Sequence, residues 1–568
     1  MAYKWSDFVK IWLGRKEMNS EKKNKSKKTE VKITRSKSET MLKQLKKASP
    51  MIAVAYIYLA LPILIFVAGW CRLLISIPAS IIIVISLICA IAETPNDWKL
   101  PETRDNIMKL LLVAAMIFMW VLLSGIGKGV YQNDDQPARN GLYEMMVRNT
   151  WPVTLDIDMG DFTASRTLIY YIGFWLPSAV VGKIFGMESG YKFQVIWAVI
   201  GIFTMYYLLC AWRKKVVIWP LLIIIFFSGL DVIPIALISM EDNLNFIWGM
   251  EHIERWPGIY QYSSMSTQLF WVFNQAIPCW LAVMLIWIQK NKKNLIFILS
   301  TVMLTSTLPF IGLIPIVIYF LFAKNDGNKK FVKGSEQTVS RFKQTVSRFK
   351  QEVFTIQNVI GGGCIGLLSF FYLKLNGSGS INSVAATQNI ASVLQSKAAD
   401  IYVASIGTTP DALAIGASVR PMWGTMILLY VMFITFEFVI YMLILYKKHK
   451  NNPLYYVLFL LLCLIPFGRV GVSIDFCMRA SIPALFIVML LIIEYLDEER
   501  KSYMAYLLIA VLTIGAITPM HEIKRAVSKT INQNYMNEVA DEEDMLSQGN
   551  FSGVVEDSVF GNYIMKIK

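Results

Sequence analysis

The sequence is poor in charged residues, in histidine and in nucleotide-binding motifs, and each shortage excludes a class of protein. Only 17% of its 568 residues are charged, against about 25% in an ordinary soluble domain. With 55% hydrophobic residues, the composition excludes a disordered chain and argues against a water-soluble enzyme. Three histidines exclude a multi-histidine metal site. No phosphate-binding Walker loop is present, which excludes an ATP-driven pump built from this chain alone.

Seven cysteines are scattered along the chain and none forms a Cys-x-x-Cys pair. This predicts neither a disulfide framework nor a zinc site. The net charge is +15, but it is concentrated in two segments. Residues 1–50 carry 15 basic and five acidic side chains, and residues 324–350 carry eight basic and two acidic ones. The rest is nearly neutral, so we expect no nucleic-acid partner. We expect the basic leader to meet anionic lipid of the inner leaflet.

Long apolar runs dominate the chain. Residues 51–92 are apolar except for Arg72, which is enough for two membrane crossings of about 20 residues each. Further candidate spans are 108–126, 167–186, 191–212, 216–238, 267–288, 294–308, 310–323, 353–374, 422–446, 453–467, 480–496 and 502–519. Because backbone groups in hydrocarbon must be satisfied internally, we expect an all-α polytopic bundle of about 12–14 transmembrane helices.

Lysine and arginine bias predicts the orientation. The expected domains are a disordered cytoplasmic leader (1–50), a transmembrane domain (51–519) and an extracytoplasmic tail (520–568). Within the transmembrane domain, the basic loop 324–350 is cytoplasmic, and three large outer loops cover 127–166, 239–266 and 375–420. A full crossing at 167–186 breaks this alternation. That segment is therefore either re-entrant or interfacial, or an early span is assigned wrongly.

The first outer loop carries two adjacent carboxylates, Asp134 and Asp135, at a membrane boundary. A carboxylate there can act as general base toward a hydroxyl, or it can hold a divalent cation such as Mg²⁺ or Mn²⁺. A solvated loop is the alternative. Arg139 follows, and Glu144 then begins an i,i+4 pair with Arg148 on an amphipathic helix. We expect that helix to lie on the outer surface.

The second outer loop joins ionisable groups to an aromatic and polar strip. The residues of interest are His252, Glu254, Gln261, Tyr262 and Gln268. Aromatic rings beside amide and hydroxyl groups suit sugars, which have apolar faces and polar edges. An interfacial aromatic belt is the alternative interpretation.

Late in the chain, Asp475 and Arg479 form an i,i+4 pair at the outer mouth of a span. Ionisable groups at such depth are functional candidates, and a guanidinium offers a two-pronged donor to phosphate. A structural salt bridge is the alternative. Asp231, near the end of another span, is a weaker candidate.

These features resemble the GT-C-type membrane glycosyltransferases over roughly residues 108–568. Three segments also match strings that recur in a group of bacterial multi-span proteins, mostly uncharacterised: residues 261–264 (Gln-Tyr-Ser-Ser), 267–272 (Thr-Gln-Leu-Phe-Trp-Val) and 478–483 (Met-Arg-Ala-Ser-Ile-Pro). The two spans within 51–92 precede the helix expected first in that superfamily. The second part of the large loop also lacks its clear acidic motif.

The resemblance implies transfer of a sugar from a polyprenyl-phosphate donor to a cell-envelope glycan or lipid acceptor, at the outer face of a bacterial plasma membrane. It implies that Asp134 or Asp135 is the base. Arg479, with Arg139, would neutralise the departing lipid phosphate, and His252, Glu254, Gln261 and Tyr262 would shape the sugar pocket. Two alternatives stay open. One is a surface-polysaccharide polymerase or ligase, for which the 375–420 loop is the candidate site. The other is a lipid-linked sugar flippase or transporter.

Overall fold

The computed structural model of the protein describes residues 44–45, 48–94, 98–158, 162–238, 252–323, 349–377, 423–468, 470, 475–532 and 537–566. Residues 1–43, nearly all of the basic loop 324–350 and nearly all of the outer loop 375–420 lie outside these ranges. The predictions for the leader and for these two loops therefore remain predictions.

The described chain is mostly helical, and the expected class, a polytopic membrane helical bundle, is confirmed. Its helices are, in chain order, α1 (Pro50–Trp70), α2 (Leu73–Glu93), α3 (Arg104–Leu123), α4 (Gln136–Arg148), α5 (Leu176–Phe185), α6 (Met187–Arg213), α7 (Trp219–Phe226), α8 (Val232–Ile238), α9 (Met265–Ile288), α10 (Leu295–Thr301), α11 (Thr307–Phe322), α12 (Ile356–Leu373), α13 (Met426–His449), α14 (Pro453–Leu464), α15 (Asp475–Ala480), α16 (Ile482–Glu498), α17 (Tyr503–Ile531) and α18 (Glu542–Ser547).

Within the described ranges, eight helices are long and apolar enough to cross a membrane: α1, α2, α3, α6, α9, α12, α13 and α17. Hydropathy alone predicts more crossings because it does not register breaks inside an apolar run. The segment 216–238 is divided into α7 and α8, and 294–308 contains the seven-residue α10 and the first two residues of α11. The chain between α7 and α8 turns into the bundle, where Leu230 N donates to Phe436 O at 2.8 Å.

The segment 167–186 is not a full span. A strand ends at Leu168, a 3₁₀ turn follows, and α5 is only ten residues long. Lys128, just after α3, lies 5.0 Å from the ring centroid of Tyr191 at the start of α6. Since α3 ends where α6 begins, the chain between them stays at one end of the bundle. This removes the conflict in the predicted alternation of loops.

The two ends of the bundle differ in charge. One end gathers the C-termini of α2, α6, α13 and α16, and we call it the basic end. Ion pairs join Lys293 to Glu93 at 2.6 Å and Lys448 to Glu498 at 2.8 Å. At the opposite end, α3 ends and α6, α9 and α16 begin. The assignment of the basic end to the cytoplasm stays a prediction.

The tail predicted to begin at residue 520 is not a separate appendage. Helix α17 continues to Ile531, and the chain then returns across the end opposite the basic one. There it completes a three-stranded antiparallel sheet of β1 (Thr154–Asp158), β2 (Thr163–Leu168) and β3 (Ser552–Gly553). This sheet was not predicted, because β3 has two residues and no alternating pattern. The amphipathic α4 also lies beneath the tail, since Ala540 N donates to Pro137 O at 2.9 Å.

Replacing Arg72 with alanine is expected to release the last residues of the tail. Its Nε donates to Met565 O at 2.7 Å and its Nη2 to Gly561 O at 3.3 Å. Hydrogen bonds from charged donors are worth about 1.5–3 kcal/mol each. Hydrogen exchange should then quicken in residues 560–566 of the variant. Arg104→Ala, which removes an exposed arginine at the start of α3, is the control. Equal protection in both variants would mean that the tail is held elsewhere.

Candidate functional site

A cavity of about 620 Å³ opens at the end opposite the basic end, within the usual range of about 300–1,000 Å³ for small-molecule sites. It lies between the α3–α4 segment, α9, α15 and the returning tail. Seven residues selected from the sequence line it together: Asp134, Asp135, Arg139, His252, Gln261, Asp475 and Arg479. They come from three segments of the chain that are far apart in sequence.

A break in α9 fixes the loop that carries the two aspartates. The backbone of Val272 is not helical (φ −141°, ψ 34°), so carbonyls just before it are free to accept other donors. Asn133 Nδ2 donates to Phe270 O at 2.8 Å, and Arg139 donates to Trp271 O. The side chains of the loop therefore complete the hydrogen bonding of the broken helix, and this holds the loop at the cavity.

The two neighbouring aspartates differ in their surroundings, which the sequence could not reveal. Asp135 Oδ2 lies 2.8 Å from Arg139 Nη2 in an ion pair. Its backbone N–H also donates to the side chain of Asn133 at 3.2 Å. The carboxylate of Asp134 is exposed, lines the cavity and makes no hydrogen bond or ion pair with any described residue. Asp134 is therefore the better placed of the two to accept a proton from a bound molecule.

Two arginines line the same cavity, and both are buried. Arg479 Nη2 lies 3.1 Å from Asp475 Oδ2, and its Nη1 donates to the hydroxyl of Tyr171. Each arginine keeps one donor atom without a partner among the described residues, namely Nη1 of Arg139 and Nε of Arg479. Both of these atoms are themselves buried, so it is the guanidinium charge beside the cavity that suits an anionic ligand, and most of all a phosphate.

Aromatic rings form another part of the cavity wall. The ring centroids of Tyr170 and Tyr171 are 3.7 Å apart, and those of Tyr170 and Phe551 are 4.9 Å apart. Such rings offer a flat apolar surface against which a sugar ring can lie. Sequence reasoning missed all three residues. The adjacent tyrosines were a readable signal, but Phe551 reaches the cavity only because β3 pairs with β2.

His252 lies in the wall with its ring 4.2 Å from that of Trp271. Its Nδ1 is 3.8 Å from Glu522 Oε1, and Glu522 also accepts from Trp271 Nε1 at 3.1 Å. Burial, together with the charges of Arg255 and Arg525, lowers the pKa of His252 to about 3. His252 is therefore neutral near pH 7. It can offer a hydrogen bond but no positive charge.

Four other predicted site residues, Glu144, Glu254, Tyr262 and Gln268, do not line the cavity. Glu144 accepts from Tyr191 Oη at 2.8 Å and pairs with Arg148. Tyr262 donates to Leu462 O. These residues lie behind the cavity wall, and their polar atoms form hydrogen bonds or ion pairs with other protein groups.

Glu254 and Gln268 also act behind the wall. Gln268 Nε2 donates to Ser263 O at 2.8 Å, and its Oε1 accepts from Trp280 at 3.0 Å. Glu254 is buried and accepts from Ser264 N at 2.8 Å, and from Gln261 Nε2 at 3.2 Å. Because Gln261 lines the cavity, Glu254 fixes the orientation of a wall residue and does not itself reach a ligand.

Glu254→Gln is expected to flatten the pH dependence of stability. Burial raises the pKa of Glu254 from 4.5 to about 8, and the neighbouring Asp231 adds to the rise. The folded state then keeps a proton that the unfolded state releases, so stability falls as pH rises between these two values. The wild type should lose about 2–4 kcal/mol between about pH 5 and about pH 9. Thermal unfolding of both proteins across this range measures the difference.

The matched control for Glu254→Gln is Glu543→Gln, which changes an exposed glutamate of the tail. The control should keep the slope of the wild type. Parallel profiles for the wild type and Glu254→Gln would contradict the prediction.

Two further buried acids lie where the run 216–238 is broken. Asp231 accepts from Thr518 Oγ1 at 3.0 Å and lies against Glu437. A Cβ on Gly229 would stand 2.2 Å from Glu437 Oε2, so a larger residue there would displace that carboxyl group. Among the described residues, no lysine or arginine pairs with either acid. Asp231 was a weaker candidate from the sequence, and Glu437 was missed because it is a single acid in an apolar run.

In the described part of the chain, no group of three or more His, Cys, Asp or Glu side chains is placed to hold a metal ion. A cation at Asp134 and Asp135 stays a prediction. It would compete with the positive charge of Arg139 for Asp135, and we derive no step that uses a metal.

Comparisons of the chain with protein-family models, with curated proteins and with solved structures gave no match. The fold and the cavity define a multi-span helical membrane protein, with a polar cavity at the end opposite its basic residues.

Proposed function

We propose that the protein is a membrane glycosyltransferase that moves a sugar from a polyprenyl-phosphate donor to a cell-envelope glycan or lipid acceptor. One observation carries the proposal. Asp134, whose carboxylate makes no hydrogen bond or ion pair with any described residue, shares a cavity with two buried arginines, Arg139 and Arg479. The reaction needs these two functions: a proton acceptor for the attacking hydroxyl and a counter-charge for the leaving phosphate.

In this mechanism the acceptor hydroxyl oxygen forms a bond to the anomeric carbon as its proton passes to Asp134. The bond between that carbon and the phosphate oxygen breaks, and its electron pair leaves with the polyprenyl phosphate. Arg139 and Arg479 stabilise the growing phosphate charge through guanidinium hydrogen bonds. One carboxylate is sufficient because the displacement is direct and inverts the anomeric centre. Tyr170 and Tyr171 supply the surface for the sugar ring.

The charge distribution supports an outward-facing site. Loops rich in lysine and arginine face the cytoplasm in most membrane proteins, and the cavity lies at the opposite end. A lipid-linked donor in the outer leaflet of a bacterial plasma membrane can then present its sugar to this cavity from the side.

The test is turnover of defined donors by the purified full chain in proteoliposomes. Polyprenyl phosphates carrying single labelled sugars are supplied with envelope extracts as acceptor, and the release of free polyprenyl phosphate is measured. We expect release that depends on the acceptor for at least one donor. A protein that is folded and monodisperse but releases no polyprenyl phosphate from any donor would overturn the proposal.

A transporter or flippase of lipid-linked sugars is the second candidate, and one observation favours it. Helices α7 and α8 are separated by non-helical backbone beside the buried Asp231 and Glu437, and discontinuous helices with buried charges occur in transporters. The same proteoliposomes distinguish the two. Movement of labelled donor between leaflets without cleavage supports transport. Release of polyprenyl pyrophosphate from a longer donor would instead support a polymerase or ligase.

A further inference from the structure

A second cavity, which we call the apolar groove, runs from the basic end along α7 and α17. Its volume is about 740 Å³. One wall is α7, from Trp219 to Phe226, and the other is the stretch of α17 from Ile509 to Met520. Leu496 and Arg500 close it where α16 ends. This groove shares no residue with the candidate active site.

The break after α7 creates the groove. Helix α7 ends at Phe226, and the next residue already accepts from Met265 N at 3.0 Å inside the bundle. The lining is apolar apart from Thr513 and Arg500. The hydroxyl of Thr513 donates to Ile509 O at 2.8 Å within its own helix, so it needs no outside partner. The interior of the groove therefore favours a hydrocarbon chain.

The end of the apolar groove near Arg500 is positively charged. The guanidinium of Arg500 lies 5.6 Å from the ring centroid of Trp219, and 60% of its side chain is exposed. Among the described residues it forms an ion pair with Asp497, 3.6 Å away, and Asp497 also pairs with Arg213 and Lys215. Three cations thus surround this carboxylate, Arg213 also lies 3.7 Å from Glu498 Oε1, and Arg500 has the most exposed side chain of the three. The indole Nε1 of Trp219 also has no hydrogen-bond partner among the described residues.

We propose that the apolar groove binds one anionic phospholipid, with an acyl chain between α7 and α17 and the phosphate at Arg500. Basic pockets between transmembrane helices recognise anionic headgroups in this way, and an apolar groove continuous with the charge selects a lipid over a free anion. The proposal does not depend on the glycosyltransferase assignment, because it concerns the other end of the bundle.

The test is lipid retention by the full chain, measured by native mass spectrometry after extraction from vesicles of phosphatidylcholine with phosphatidylglycerol. The wild type should retain phosphatidylglycerol in preference to phosphatidylcholine. Arg500→Gln should lower that preference about fivefold, the effect of one basic residue at a membrane surface. Lys501→Gln changes the next residue, which does not line the groove, and should retain the preference of the wild type.

A second pair of variants tests the groove itself. Ala516→Phe fills it and should remove the retained lipid, whereas Ile514→Phe places the same ring on an exposed face of α17. Equal retention of the two lipids by the wild type would overturn the proposal. The proposal would also be overturned if inorganic phosphate displaced the lipid. It would be overturned as well if the protein retained lipid only after residues 1–43 were deleted. A loss of lipid that is equal in Arg500→Gln and Lys501→Gln would also overturn it.

Discussion

Asp134→Asn is expected to lower kcat for sugar transfer by about 10²–10⁴-fold, the contribution of a positioned general base. Asparagine keeps the size of the side chain but cannot accept the proton of the attacking hydroxyl. Because Asp134 makes no hydrogen bond or ion pair with the described residues, its replacement should leave the fold and KM for the donor nearly unchanged. Steady-state kinetics with a labelled polyprenyl-phosphate sugar measures both constants.

Asp135→Asn provides the matched comparison one residue away. Its carboxylate pairs with Arg139, so its loss should disturb phosphate binding and raise KM for the donor, with a smaller effect on kcat. The opposite pattern, with kcat lost in Asp135→Asn and retained in Asp134→Asn, would assign the base to Asp135. Full activity in both variants would remove the acid–base mechanism altogether.

Arg479→Gln should lower kcat/KM for the phosphate-linked donor by about 10²–10³-fold, the cost of removing one donor to a developing negative charge. The guanidinium is buried and held by Asp475 and Tyr171, so its charge has a fixed position beside the cavity. Arg479→Lys should recover part of the loss. Lysine restores the positive charge, but its ammonium group cannot form the two parallel hydrogen bonds of a planar guanidinium.

The control for Arg479→Gln is Arg148→Gln, which removes an arginine of α4 that is 57% exposed and does not line the cavity. Its kcat/KM should stay near that of the wild type. If Arg479→Gln lowers the thermal midpoint while kcat/KM stays unchanged, then Arg479 is a structural ion pair and does not bind phosphate.

The bundle could be predicted from the sequence because apolar runs such as 51–92 report directly on burial in lipid. The breaks in the helices could not be predicted. The run 216–238 is apolar throughout except for Asp231, yet the chain leaves the helix there because Leu230 N and Ser228 O find partners on α13. Tertiary hydrogen bonds of this kind carry no local signature, so hydropathy does not show where an apolar run is broken.

The candidate site was predictable where charge stands out against an apolar background. Asp134, Arg139, His252 and Arg479 were selected on that ground, and the structure brings all four to one cavity. The depth at which each of these side chains is buried was not predictable. Glu254 looks equivalent to His252 in the sequence, but it lies behind the wall because Ser264 and Thr267 turn back toward it. The contribution of Phe551 depends on a strand of two residues.

The return of the tail has a consequence for biosynthesis. Lys566 N donates to Trp70 O at 2.8 Å, which joins the end of α1 to the returning tail. The wall of the cavity also includes Asn550 and Phe551. The ribosome therefore has to translate residues 550–566 before this site can be assembled, and α1 waits in the membrane for that segment. Activity should thus require translation through this segment, although every membrane-spanning helix named above is made before it.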